Sequence, residues 1–199
     1  MDSDPSPIPG LDAETVLRAT AGDRGALGDI YRALNPALVR FLGSLGVRDA
    51  EDVAGDVWAD LARRMPRVEP DPVALRTLLF TIGRRRAIDA RRRSERRPEW
   101  PVAELPVEAG RDALEAVDDR LAVLALLAQL PRAQAEVVAL RFIVGMTPAE
   151  VGAVTGKREG AIRVMTMRAL RRLRVLAEAE GLVSPDDVTD DPGETMVQP

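Results

Sequence analysis

Apolar residues recur at three- and four-residue steps along most of this chain, and each such run predicts an amphipathic helix. Leu27, Ile30, Tyr31 and Leu34 mark one face, with Asp23 placed to cap it. Pro36 is expected to interrupt or restart the helix, and Leu38, Val39, Leu42 and Leu45 carry a second one to Gly46. From Asp49 the repeat Val53, Val57, Leu61, Met65 predicts the best-formed helix of the first half, its stripe widened by Trp58. Asp49 is its expected N-cap, and Glu51, Asp52, Asp56 and Asp60 give it an acidic edge. Residues 65–72 hold three prolines in eight positions and read as a stiff loop. A helix follows from Pro72 to about Arg93, with Leu75, Leu78, Leu79 and Ile82 buried. Leu11 to Ala21 predicts one weak helix, and Leu114, Val117, Leu121, Leu124 and Leu127 predict another over residues 112–130.

The pattern changes character after Pro131. Val137, Leu140 and Val144 share a face that ends at Gly145. Thr147, Pro148 and Glu150 form an N-cap, a first-turn proline and a reciprocal capping glutamate for a short helix that Gly156 ends. A longer helix from about Glu159 to Ala179 carries Ile162, Met165, Ala169, Leu173 and Leu176 on one stripe. Arg163, Met167 and Arg171 lie opposite. A short helix, a glycine-containing turn and a longer basic helix make the pattern of a helix-turn-helix. Arg158 occupies the cap position of the longer helix, where Ser, Thr, Asp or Asn would contribute about 1 kcal/mol. The alternative is an ordinary three-helix bundle with a solvated basic face.

Charge separates these segments further. The net charge of the 199-residue chain is −4, yet residues 132–174 hold nine basic and three acidic residues, and residues 84–97 hold eight arginines against two acids. The arginines of 84–97 surround their helix axis, so no single core can hide them, and a block this dense suits phosphates. Residues 99–119 hold seven acids against one arginine, and residues 178–199 hold seven acids and no base. The predicted organisation is therefore all-α: two small helical domains joined by a flexible linker. Residues 1–21 form a mostly disordered extension, 22–95 the first domain, 96–111 an acidic proline-containing linker, 112–181 the helix-turn-helix domain and 182–199 an acidic tail.

The chain has no cysteine and no histidine. This removes disulfides, the usual zinc sites, thiol nucleophiles and histidine acid–base chemistry. No apolar run reaches the length of a membrane span and no leader peptide is visible, so membrane insertion is not expected and a cytoplasmic location is. No catalytic constellation or phosphate-cradling glycine loop is present, so neither an enzyme nor a cofactor is expected.

Four segments in order resemble the extracytoplasmic-function (ECF) group of bacterial RNA polymerase sigma factors. They are GDRGALGDIYRALNPALVRFL (22–42), DAEDVAGDVWADL (49–61), LRTLLFTIGRRRAIDARRR (75–93) and the stretch from Leu130 to Arg174. The resemblance implies a first domain that grips the β′ clamp helices of core RNA polymerase and melts the −10 promoter element. It implies a second domain that binds the −35 element and touches the β flap. On this basis Asp49, Glu51, Asp52 and Asp56 would bind polymerase. Arg67, Asp71, Arg84, Arg85, Arg86, Arg91, Arg92 and Arg93 would meet the −10 region. Arg158, Glu159, Arg163, Met167, Arg168 and Arg171 would meet the −35 region. Members of the group are often held by an anti-sigma factor. The chain departs from relatives at Leu78, where they commonly have tryptophan, and at Arg85, where they have asparagine. Arg158 stands where many have serine, and Met167 where many have histidine. The competing readings are a stand-alone helix-turn-helix regulator of duplex DNA and a scaffold that uses its acidic surfaces alone.

Overall fold

A computed structural model describes residues 11–95 and 125–182, and these residues form helices and turns without strands. The first helical region comprises α1 (Ala13–Thr20), α2 (Arg24–Ser44), α3 (Ala50–Arg64) and α4 (Pro72–Glu95). The second begins with a helical turn at 125–128 and continues through α5 (Arg132–Val138), α6 (Pro148–Thr155) and α7 (Glu159–Ala179). The linker, most of the helix expected over 112–130 and the acidic tail lie outside the described residues.

Local chemistry sets the helix starts. Asp12 accepts the Thr15 N–H at 2.7 Å, and Asp23 accepts the N–H groups of Gly25 and Ala26. The second oxygen of Asp23 takes Arg18 at 2.6 Å, tying the end of α1 to the start of α2. Helix α1 buries Val16 and Ala19 against this region, so the first helical unit reaches back to Leu11, before the boundary expected at residue 22. Helix α2 runs unbroken through Pro36, contrary to expectation. Proline removes one backbone bond there, but Ile30, Leu34, Leu38 and Phe41 are buried on both sides of it and hold the axis together. Asp49 stands at the N-cap of α3, yet its side chain makes no capping hydrogen bond.

The first core is built from one face of each helix. Phe41 and Phe80 meet edge to face with centroids 5.5 Å apart. Gly83 lets α4 approach α2: a Cβ there would lie 3.0 Å from Leu38 Cδ1. Trp58 donates its Nε1–H to Asn35 at 2.9 Å and packs its ring against Tyr31. Each fully buried Leu, Ile or Phe contributes about 1.5–3 kcal/mol.

Helix α5 widens into a π-turn over Ala139–Ile143. This turn delivers Met146 into the core, where the Met146 N–H donates to the Leu140 carbonyl at 3.0 Å. Leu127 and Leu130 pack with Ala135, Val138 and Ala169 in a small second cluster. The main cluster is continuous from the first region into the second: it includes Leu38 and Leu79 as well as Leu140, Met146, Val151 and Ile162. Helix α6 packs on α4, and the π-turn packs on α2.

Candidate nucleic-acid interface

The helix-turn-helix forms as its sequence predicts. The Thr147 hydroxyl accepts the Glu150 N–H at 3.2 Å, and Glu150 Oε2 accepts the Thr147 N–H at 2.7 Å, completing a capping box. Gly156 takes φ 71°, a left-handed conformation that glycine adopts without strain, and turns the chain into α7. Gly152 serves the same turn differently. A Cβ on it would fall 2.7 Å from the Lys157 carbonyl oxygen, so only a hydrogen fits between α6 and the turn.

Ile162 and Ala169 anchor one face of α7 in the core. The other face is open: Arg158, Glu159, Arg163, Met167, Arg168 and Arg171 are all exposed. Arg163 reaches back one turn to Glu159 at 2.6 Å, an i,i+4 pair. Val164, whose position off the apolar stripe gives no signal in the sequence, is exposed beside Met167. Arg158 occupies the N-cap with no side-chain cap, as expected from its chemistry.

The arginines of α4 divide into groups. Arg85, Arg92 and Arg93 are exposed, while Arg91 is half-buried. Arg86 crosses to α3, bonding Asp60 at 2.5 Å and Asp56 at 3.3 Å. Arg84 crosses to the second region, where its Nε donates to Glu136 of α5 and its Nη2 lies 3.4 Å from the other carboxylate oxygen. Arg76 is buried and donates to Glu150 of α6. The last two links are invisible to periodicity, because they join positions 52 and 74 residues apart.

Arg67 is exposed in a 3₁₀ turn (Met65–Arg67) ahead of α4. Asp71 caps α4, accepting the N–H groups of Val73 and Ala74 at 3.0 and 3.1 Å. On α3, Asp49, Glu51, Asp52 and Asp56 all face solvent. Asp60 is held below the ordinary aspartate range, first by the hydrogen bond from Arg86 and further by Arg63. Among the described residues no cluster of three or more His, Cys, Asp or Glu side chains could hold a metal ion. None of their helices is long and apolar enough to cross a membrane.

Helices throughout the described residues, a basic exposed recognition helix and the arginine-rich α4 are features of a nucleic-acid-binding protein. Residues 30–97 match the family model for sigma-70 region 2, and residues 120–173 match that for sigma-70 region 4. The ECF RNA polymerase sigma factor SigD of Mycobacterium tuberculosis is 34% identical over 176 residues, 82% of this chain and 82% of that protein. The ECF sigma factor ShbA of Streptomyces griseus is also 34% identical, over 82% of this chain and 93% of its own length. Among solved structures, CnrH in complex with the cytosolic domain of CnrY aligns with a TM-score of 0.67 at 25% identity, covering 85% of this chain and 99% of that one. The chain therefore belongs to the ECF group of RNA polymerase sigma factors, non-catalytic factors of transcription initiation.

Proposed function

We propose that this chain binds core RNA polymerase through the acidic edge of α3, opens the −10 element with α4 and the preceding loop, and reads the −35 element with α7. The observation that carries this reading is the open face of α7. Six of its residues that the family pattern assigns to DNA project into solvent, while Ile162 and Ala169 fix the opposite face in the core. Arginines on this face supply phosphate affinity, and Arg163 and Met167 lie where a major groove would meet the early turns. The exposed Arg85, Arg92 and Arg93 suit the backbone of a separating strand. Asp49, Glu51, Asp52 and Asp56 offer an acidic ridge to a basic surface on the polymerase, at its β′ clamp helices, and the second region also contacts the β flap.

No nucleotide chemistry falls to this chain; the polymerase supplies it, and the factor acts where polymerase acts, in the cytoplasm. The CnrH structure holds a bound cytosolic domain of CnrY. A bound protein partner, acting on this chain as an anti-sigma factor, is part of the proposal here. Run-off transcription with purified core polymerase across a promoter library tests the reading. Promoter-specific transcripts that depend on this chain are expected. Tight binding to free duplex DNA without any polymerase-dependent transcript would favour a stand-alone regulator instead.

A further inference from the structure

The open face of α7 is charged at its edges and apolar along its middle. Gly160, Val164, Met167 and Arg171 follow one another at helical steps of four, three and four residues, so they form one line along the helix. That line lies opposite Ile162 and Ala169, which are fully buried. At about 100° per residue, Arg163 and Arg168 fall about 70° to either side of it. Val164 and Met167 hold the centre of the face, 47% and 55% exposed, with no apolar neighbour to cover them. Gly160 extends the same line toward the start of α7. Its backbone is not left-handed, and a Cβ on it would meet nothing within 4 Å. Glycine weakens a helix relative to alanine, so the free chain gains nothing from it, whereas a closely approaching ligand does.

A major groove about 12 Å wide admits one helix. Arginines at the edges of that helix reach the phosphates of the two groove walls, and the residues along its middle meet the base edges. Val164 offers only hydrocarbon, and the thioether of Met167 is at most a weak acceptor. Among the groups displayed in the major groove, the apolar one is the C5-methyl of thymine. We propose that Val164 and Met167 read thymine methyls in the −35 element, so that part of promoter choice is set by apolar contact in place of hydrogen bonds. The two residues stand about 4.5 Å apart along the axis, close to the roughly 3.4 Å between successive base pairs, so together they span neighbouring pairs. Gly160 lets the first turn sink far enough for them to touch. Arginines on both flanks favour a polyanion over an apolar protein surface as the occupant. The inference rests on the assignment of α7 to the −35 element.

The test removes one methyl at a time. Full-length protein with core polymerase is titrated against a promoter drawn from the run-off library. Each thymine of the −35 element, on either strand, is replaced singly by deoxyuridine, which pairs identically and lacks only the methyl. At one or two positions affinity should fall about fourfold, the worth of one buried methyl. Val164→Ala and Met167→Ala trim exposed side chains and leave the core untouched. Each should weaken binding to the thymine promoter by a similar factor and abolish the uracil penalty at the position it touches, a non-additive coupling. Their salt dependence should match that of the unaltered protein, since no phosphate contact is lost. Arg168→Ala should instead weaken thymine and uracil promoters alike and lower the salt slope by about one unit. A −35 element without an A·T pair would overturn the proposal, and so would equal affinity for thymine and uracil at every position. An undiminished uracil penalty in the V164A/M167A protein would overturn it too. Weaker binding of core polymerase itself by that protein would assign the pair to a protein contact and overturn it equally. Scrambling the whole −35 element separates these results from failure of the α7 assignment. If scrambling leaves binding unchanged, that assignment fails; if scrambling weakens binding while uracil has no effect, methyl recognition alone fails.

Discussion

Glu150 performs two tasks with one carboxylate. Its Oε2 closes the capping box of α6, and its Oε1 receives Arg76 from α4. Burial alone would push this carboxyl up, but the hydrogen bonds from Arg76 and Thr147 outweigh it and hold the group below its ordinary 4.5. A carboxylate depressed in the folded state contributes stability above its unfolded value. That contribution is lost as pH falls through the lower folded value. The stabilisation by this pair should therefore be complete at neutral pH and fade below about pH 4.5. Arg76→Met should reverse the balance, since burial then acts without an opposing cation. At neutral pH the cost should reach about 3 kcal/mol, the usual result of leaving one buried charge unpaired. The cost is limited to the free energy of separating α6 from α4, because separation returns Glu150 to water. As pH falls through the lowered folded value of Glu150 the two proteins should converge, because the carboxyl then protonates in both. Urea titrations of both proteins across this pH range measure the difference; a gap that persists unchanged into acid would show that packing, not charge, causes it.

At the scale of elements, the turn between α6 and α7 is the most tightly specified. Gly156 is needed for its left-handed φ, and Gly152 for the space it leaves, which is closed on one side by the Lys157 carbonyl. Gly152→Ala would force backbone against Cβ at 2.7 Å, so the turn must shift and α7 with it. The expected loss is about 2 kcal/mol, with a parallel loss of −35 duplex binding because the recognition helix tilts. Gly156→Ala meets open space and should cost only about 1 kcal/mol from conformational strain. Melting curves and duplex titrations of the two variants separate crowding from strain. Much of this element is legible in the chain itself. Thr147, Pro148 and Glu150 predict the capping box, and α7 keeps the bounds that its apolar stripe predicts, Glu159 to Ala179. The π-turn at Ala139–Ile143 is not legible, because the apolar spacing of Val137, Leu140 and Val144 suits an ordinary helix equally well. Pro36 misleads for a related reason: the local rule predicts a break, and tertiary burial of Leu34 and Leu38 overrides it.

For the whole molecule, sequence periodicity identifies which faces are apolar but not which faces meet. The apolar stripe of α4 is readable, yet its contact with α6 depends on Arg76 and on the second carboxylate oxygen of Glu150, whose sequence pattern shows only the capping role. The arginine block of α4 likewise reads as one basic patch, whereas the fold sends Arg86 to Asp60, Arg84 to Glu136 and leaves Arg85 in solvent. The same distribution of charge shapes a prediction for the acidic ridge of α3. Asp49, Glu51 and Asp52 are exposed, while Asp56 touches that network at its edge through Arg86 at 3.3 Å. Asp60 keeps Arg86 in place through the shorter contact of 2.5 Å, so loss of Asp56 should leave the α3–α4 packing intact. Replacing Asp49, Asp52 and Asp56 with lysine turns the ridge basic without disturbing Val57, Trp58 or Leu61 on the buried face. If this ridge meets a basic polymerase surface, the reversal places like charges together, which costs several kcal/mol and weakens binding by about a hundredfold. Surface attraction is screened by salt, so the difference between the two proteins should shrink as ionic strength rises. Equilibrium titration of labelled full-length protein against core polymerase, at low and high salt, measures both effects, with circular dichroism to confirm the helices. Undiminished affinity in the triple variant would remove α3 from the polymerase interface and leave its acidic edge as a solvated face.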